Sequence, residues 1–312
     1  MKAFAKGVLV AFALVLMSST VPLAAAQGNQ IQYQHSQGIV TLSTDAIEIK
    51  ITGAGEVPHF HWWDPNTTDV DYHVMFVKLF EANDTNSNGV FDLGNDTMIG
   101  APFALPTTDW EISEFVTEGE GENVTAVHFN MTSTTTHDPR PDGPGNLPPM
   151  AEFDVMMQIR VHLDLEKPGE VKFDVVIDGW DWTYEESILV LQFTVTESNH
   201  GQNQGSRDPA GFERTGTKFE FNNGYMEYED TALAAQNTIQ VRASYGEGTG
   251  LEAGESIYLA FENFGNETLE YDPTLGIEAE GALPLLDPTT LLLIGGGIVA
   301  LVVIVAIVKL RK

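Results

Sequence analysis

Through the middle of the chain, apolar and polar residues change places at every second position, and the runs are short. Ile39 to Ser43 and Ile47 to Ile51 alternate with period two, the spacing of a strand with one face buried and the other wet. Asn123 to Met131, Phe153 to Leu165 and Val171 to Ile177 repeat the pattern, and Lys167-Pro168-Gly169 supplies a turn between the last two. Tyr72 to Phe80 and Ile188 to Val195 are almost wholly apolar, as in strands covered on both faces. Lys218 to Phe221, Thr238 to Ser244 and Ser256 to Phe261 continue the series, while Thr231 to Gln236 reads as a single helical turn. Many short strands separated by Gly, Pro and Asn predict an all-β fold. The expected form is a large antiparallel β-sandwich over residues 27–288, as one large or two smaller sandwiches.

Two polar segments interrupt the strands. Ser133 to Pro149 contains HDPRPDGPGNLPP, which excludes regular structure. It is either a long loop or the place where the body divides. Ser198 to Thr215 is polar and glycine-bearing and reads as a surface loop, the kind of element that carries binding on a rigid scaffold.

The two ends follow other rules. Lys2 and Lys6, the apolar run Gly7 to Met17 and the small residues Ala24-Ala25-Ala26 make residues 1–26 a secretory signal peptide. Leu291 to Val308 is uncharged and close to the ~20 residues that cross a bilayer. Residues 289–308 are therefore expected to form a transmembrane helix. Lys309, Arg311 and Lys312 follow at once and mark a cytoplasmic tail, 309–312. The expected location is the cell membrane, crossed once, with the body outside and the carboxyl end inside.

Charge narrows the functions. The chain carries 45 acidic and 15 basic residues, a formal charge of -30, and every acid lies between Asp45 and Asp287. Phosphate backbones need a basic face, so a nucleic-acid partner is excluded. Such a surface repels itself unless cations screen or bind it. There is no cysteine, which removes disulfides and thiolate metal sites. Asn66, Asn83, Asn95, Asn123, Asn130 and Asn266 each have threonine two places on and no proline between, the acceptor pattern for N-glycosylation. Glycan acceptors without cysteines point to an archaeal cell surface.

The most specific motif is Asp84-Thr-Asn86-Ser-Asn88-Gly89-Val-Phe-Asp92. Oxygen-bearing side chains fall at loop positions one, three, five and nine and glycine at six, so the chain can wrap a calcium ion that wants six to eight oxygens. Val90 would offer its carbonyl. Position twelve is Asn95 instead of the bidentate Glu, and Asp96 beside it is the substitute. The predicted calcium set is Asp84, Asn86, Asn88, Val90, Asp92 and Asp96, with affinity on the order of millimolar and a structural role. An Asn/Asp/Gly-rich hairpin turn would show the same composition, and a sugar on Asn95 would keep that side chain from ligating.

Weaker constellations follow. His59 and His61 in His59-Phe60-His61-Trp62-Trp63 share one strand face and are candidates for a transition metal, with His73 or His128 as the third ligand. Trp62, Trp63, Trp180 and Trp182 are candidates for stacking on sugars, set against the ordinary use of indoles to fill a core. Asp178, Asp181, Glu185 and Glu186 are near enough in sequence to suggest a glycosidase pair, but acids are dense everywhere and no nucleophile or metalloprotease motif is present.

PHFHWWDP (Pro58 to Pro65), YHVMFVKLFEANDTNSNGVFD (Tyr72 to Asp92), KFDVVIDGW (Lys172 to Trp180) and GESIYLAFENF (Gly254 to Phe264) resemble segments of uncharacterised archaeal exported, membrane-anchored β-sandwich proteins with a DxNxNG calcium-type loop. The resemblance implies location and architecture, and no activity. The expected function is a non-catalytic, single-pass, cell-surface glycoprotein with a calcium-stabilised ectodomain. It would serve adhesion, recognition or envelope structure, with the membrane and a surface protein or glycan as partners. A carbohydrate-binding or carbohydrate-active ectodomain is the first alternative and a surface metal-binding protein the second.

Overall fold

The computed structural model describes residues 30–52, 58–67, 70–134, 155–199, 208–209, 212–247 and 255–278. The expected signal peptide, transmembrane helix and tail, and residues 135–149 of the segment read as a long loop or a division, lie outside them. Among the described residues there are 21 strands, two single turns of 3-10 helix and no α-helix. No helix among them is long and apolar enough to cross a membrane.

The strands are all antiparallel. β1 (Gln32–Ser36), β2 (Ile39–Ser43), β3 (Glu48–Thr52), β4 (His59–Trp63) and β5 (Val70–Asn83) form a meander, each beside the last. β6 (Thr97–Ala104) returns along the second half of β5. β7 (Trp110–Ile112) and β8 (Val116–Glu118) both pair with β9 (Ala126–Ser133). β9 opens a second sheet with β10 (Met156–Asp164) and β11 (Glu170–Asp178). β12 (Ile188–Asn199) goes back to the first sheet and lies along β5.

β13 (Asp208–Pro209) pairs with the end of β12. β14 (Phe212–Thr215), β15 (Lys218–Phe221) and β16 (Gly224–Glu227) form a second meander. β17 (Thr231–Ala234) and β18 (Asn237–Glu247) form a hairpin, and β19 (Glu255–Glu262) lies between β18 and β12. β20 (Leu269–Tyr271) and β21 (Thr274–Ile277) take opposite halves of β11 and carry the second sheet on to β17 and β16. β18 belongs to both sheets: Asn237 to Gln240 pair with β17, and Val241 to Glu247 pair with β19.

Alternation sets what is buried. In β2 and β3 every second residue is buried, so Val40, Leu42, Ile49 and Ile51 enter the core while their neighbours do not. Strands of both sheets feed one hydrophobic cluster. Phe173 of β11 lies 5.5 Å from Phe60 of β4, 5.8 Å from Phe76 of β5 and 6.4 Å from Phe193 of β12, centroid to centroid. Trp62 Nε1 donates to the Gly276 carbonyl of β21 at 3.2 Å. A Cβ on Gly276 would stand 2.3 Å from the Tyr225 ring, so the backbones meet closely only because that position is bare.

Two expectations are corrected. Thr231 to Ala234 is a strand, not a helical turn, with Ala232 and Ala234 buried. Pairing with β18 and β20 overrides the local preference. The segment Ser198 to Thr215 is not all loop, because its two ends and Asp208–Pro209 are strand residues.

Candidate functional site

β4 places His59 and His61, and β5 places Asp71 and His73, on the face away from the core. His61 stands opposite His73 and His59 opposite Met75, while Phe60, Trp62 and Tyr72 turn inward. One ring nitrogen from each of His59, His61 and His73 lies within 4.8 Å of the others. His73 Nδ1 is 3.3 Å from His59 Nε2. The His61 ring is 4.1 Å from both the His59 and the His73 rings. His73 is buried, and His59 and His61 are half-buried.

Behind the imidazoles stand two polar groups. Asp71 Oδ2 is 3.3 Å from His61 Nδ1 and 3.6 Å from His73 Nε2. Ser198 Oγ, from β12, is 2.8 Å from His73 Nε2. Asp71 Oδ1 is buried without a hydrogen-bond partner. This is the order of groups around a metal-bound histidine: one nitrogen faces the ion, and the other donates to a carboxylate or hydroxyl that fixes the ring. His73 would ligate through Nδ1, His59 through Nε2, and His61 through its Nε2. Of the two third ligands considered from sequence, His73 joins the cluster and His128 does not. His128 sits on β9 of the second sheet, its Nδ1 2.8 Å from Nδ1 of His162.

That second pair is a different device. His162 Nε2 is 2.9 Å from Asp174 Oδ2, and His128 Nε2 is 3.6 Å from Glu118. Lys172 donates to Asp272 beside them at 2.7 Å. Burial pushes the Asp174 carboxyl up, but the hydrogen bond and charge of His162, with the Asp272 hydrogen bond and the Lys172 charge, together hold the group below its ordinary value.

The loop from Asp84 to Asp96 joins β5 to β6. Asn86 Nδ2 and Asn88 Nδ2 both donate to Asp92 Oδ2, at 2.8 and 2.9 Å, so these three side chains meet at one point. A half-turn of either amide would present oxygen there instead. Asp84 accepts the backbone N–H groups of Asn88 and Gly89 at 3.2 and 2.7 Å. Gly89, at φ +72°, makes the expected sharp bend, and the Val90 N–H donates to Asn88 Oδ1 at 2.7 Å. Asp96, like Asp84, is held by backbone amides. Its two oxygens accept the N–H groups of Thr85 and Asp92 at 2.9 and 2.8 Å, pinning the ends of the loop. Phe91 folds back onto the outer face of the first sheet, 5.2 Å from Phe80 and 5.1 Å from Tyr258, in a small core separate from the main one.

The indoles do not form a sugar platform. Trp62, Trp63 and Trp180 are buried, and Trp182 is half-buried, hydrogen-bonded to the Gly265 carbonyl at 2.8 Å and edge-on to Phe264. Trp62 alternates inward on β4 and Trp180 joins the main core with Trp182 packed against it, whereas Trp63 is buried outside both clusters. Asp178 accepts from Thr268 at 2.6 Å, and Asp181, Glu185 and Glu186 are exposed. Asn66, Asn83, Asn95, Asn123 and Asn266 are exposed and Asn130 is half-buried. Asp71 was within reach of the sequence, two places before His73 on one strand face. Ser198 and His162 were not, because their neighbours depend on the register of distant strands.

No protein-family model matches the chain, and no curated protein matches its sequence.

Proposed function

We propose that the chain is an exported, membrane-anchored surface glycoprotein whose body is a two-layer β-sandwich carrying a transition-metal ion on its first sheet. The reading is non-catalytic, with the ion held by His59, His61 and His73. One distance carries it. Nitrogens bound at about 2.0–2.1 Å to a tetrahedral ion stand roughly 3.3–3.4 Å apart, and His59 Nε2 and His73 Nδ1 are already 3.3 Å apart. Imidazole ligands suit zinc, copper or nickel. The alternation that brings the histidines together, and the acidic surface around them, favour a cation drawn from outside the cell. The exposed acceptor asparagines support glycosylation, and the apolar segment 289–308 supports the anchor.

Calcium has a separate place in this reading. Asp84, Asn86, Asn88, Asp92 and the Val90 carbonyl would hold it, and the ion would clamp the β5–β6 loop against the sheet through Phe91.

Isothermal titration of zinc into the chelator-stripped, detergent-solubilised chain tests the centre. One tight site is expected. His59→Ala and His73→Ala should each weaken it at least a hundredfold, and Asp71→Asn by about 10–100-fold as an outer-shell partner. His128→Ala should leave it unchanged. A His59/His61/His73 triple alanine variant that binds zinc as the parent does refutes the reading.

A further inference from the structure

In a chain with three acids for every base, guanidinium groups without carboxylate partners stand out. An open cleft of about 580 Å³, bordered by Val90 of the β5–β6 loop, by β14, by Tyr228 and Asp230 between β16 and β17, and by β18, holds two of them, Arg214 and Arg242. Arg214 is fixed in place but not neutralised. Its Nε donates to the Gly216 carbonyl at 3.2 Å, Nη1 to the Ala243 carbonyl at 2.9 Å and Nη2 to the Tyr228 hydroxyl at 2.5 Å. Its guanidinium also lies over the Phe219 and Tyr228 rings, at 5.7 and 5.5 Å from the centroids. All of these partners are uncharged. Arg242 extends past Gly89, where a Cβ would come within 2.9 Å of its Nε. Among the described residues neither arginine forms an ion pair within 4.0 Å. The neighbouring acids are Asp230 in the cleft wall and Glu262, which flanks Gly89 together with Arg242.

The rest of the wall narrows the ligand. Tyr245, 53% exposed, stands in the same wall and is braced edge-on by Phe212 at 5.2 Å. A fixed, exposed aromatic ring matches the apolar face of a pyranose. The Arg242 guanidinium offers a fork that matches a planar carboxylate through paired hydrogen bonds, while Arg214, whose Nε, Nη1 and Nη2 each donate to a protein oxygen, adds its charge and the second N–H of each Nη. We infer that this cleft binds the carboxylate of an acidic sugar, a uronic acid residue of an external saccharide, between Arg214 and Arg242 with Tyr245 against the ring. The site lies on β14, β18 and the connection between β16 and β17, away from the histidines of β4 and β5, so it stands whether or not those histidines take a metal.

Titration of a galacturonate tetrasaccharide into the full chain, followed by calorimetry at low and at raised salt, tests this. Binding should weaken with salt. Arg242→Gln, at an exposed position, should weaken it at least tenfold, and Tyr245→Ala severalfold. Arg214→Lys, which keeps the charge and loses the second N–H of each Nη, should also weaken it. A neutral tetraglucose should not bind, and His73→Ala should bind galacturonate as the parent does. Equal binding by the parent and Arg242→Gln overturns the site. Sulfate binding as tightly as the uronate overturns the sugar assignment, and so does tetraglucose binding as tightly.

Discussion

Glu81 offers a sharp test of how the first sheet holds its neighbours. It is 1% exposed, lies in β5 opposite Leu189 and is satisfied from one direction only. Its two oxygens accept the Thr183 N–H at 3.0 and 2.9 Å. One of them also takes the Tyr184 N–H at 3.1 Å and the Ser187 hydroxyl. Replacing it with alanine leaves two backbone N–H groups without an acceptor, while the Ser187 hydroxyl keeps its bond to the Tyr184 carbonyl at 2.7 Å. Hydrogen bonds to a charged group are worth about 1.5–3 kcal/mol each, so Glu81→Ala should cost about 3–5 kcal/mol. That is a large fraction of the ~5–15 kcal/mol by which domains are usually stable. Glu81→Gln should cost about half as much, because its carbonyl can keep the shared oxygen's bonds while its amide nitrogen faces the Thr183 N–H. Urea unfolding followed by tryptophan fluorescence reads both as midpoint shifts at constant slope. A cost under about 1 kcal/mol for the alanine variant, or a larger cost for glutamine than for alanine, would refute this account.

Three other outcomes follow from the same geometry. Calcium at tenfold its dissociation constant should add about 1.4 kcal/mol of stability, and a thermal melt of Asp84→Asn/Asp92→Asn should show no calcium-dependent rise; a rise equal to the parent's would contradict the loop assignment. Phe91→Ala, which empties the small outer core against Phe80 and Tyr258, should cost about 3 kcal/mol by urea midpoint, and a loss below half a kcal/mol would mean the loop is not clamped there. Asp174 is raised by burial but has its folded pKa lowered overall by His162, with help from Asp272 and Lys172, so its contribution is present above the unfolded carboxylate value and is lost as pH falls through the folded one. Urea midpoints measured from pH 5 down to pH 2 should therefore fall more steeply for the parent than for His162→Ala, and identical slopes would show that the pair contributes nothing.

Much of the fold could be read from the sequence because one-sided burial writes itself as alternation. Ile39 to Ser43 and Lys218 to Phe221 are strands with those same bounds, and Tyr72 to Phe80 is the centre of a longer one. β1 was not legible: Gln32 to Ser36 is exposed throughout, so no period marks it. β20 and β21 are too short to show one. For the site, period two placed His59 and His61 together, and the same rule applied backwards from His73 reaches Asp71. Choosing His73 over His128 required knowing that β5 pairs with β4 and β9 with β10, a question of long-range register on which local sequence is silent. Trp62 and Trp180 stayed open between sugar stacking and core filling because an indole suits a sugar face and a core equally well, and only packing separates the two. Asp96 was read as a ligand from its place in the loop, and that its oxygens also take the backbone amides of Thr85 and Asp92 was beyond the reach of loop spacing.

The strand that crosses from one sheet to the other between Gln240 and Val241 bears on how the molecule comes apart. Melting either sheet strips partners from a single unbroken length of backbone, so the two halves of β18 share their fate. Amide exchange at Asn237 to Gln240 should then slow and quicken in step with that at Val241 to Ser244 under every destabilising substitution, as one foldon. Hairpin tips elsewhere in the chain are free to lengthen or shorten, but a single residue inserted at this seam would flip one side's inward residues outward and dissolve the join on which both halves depend.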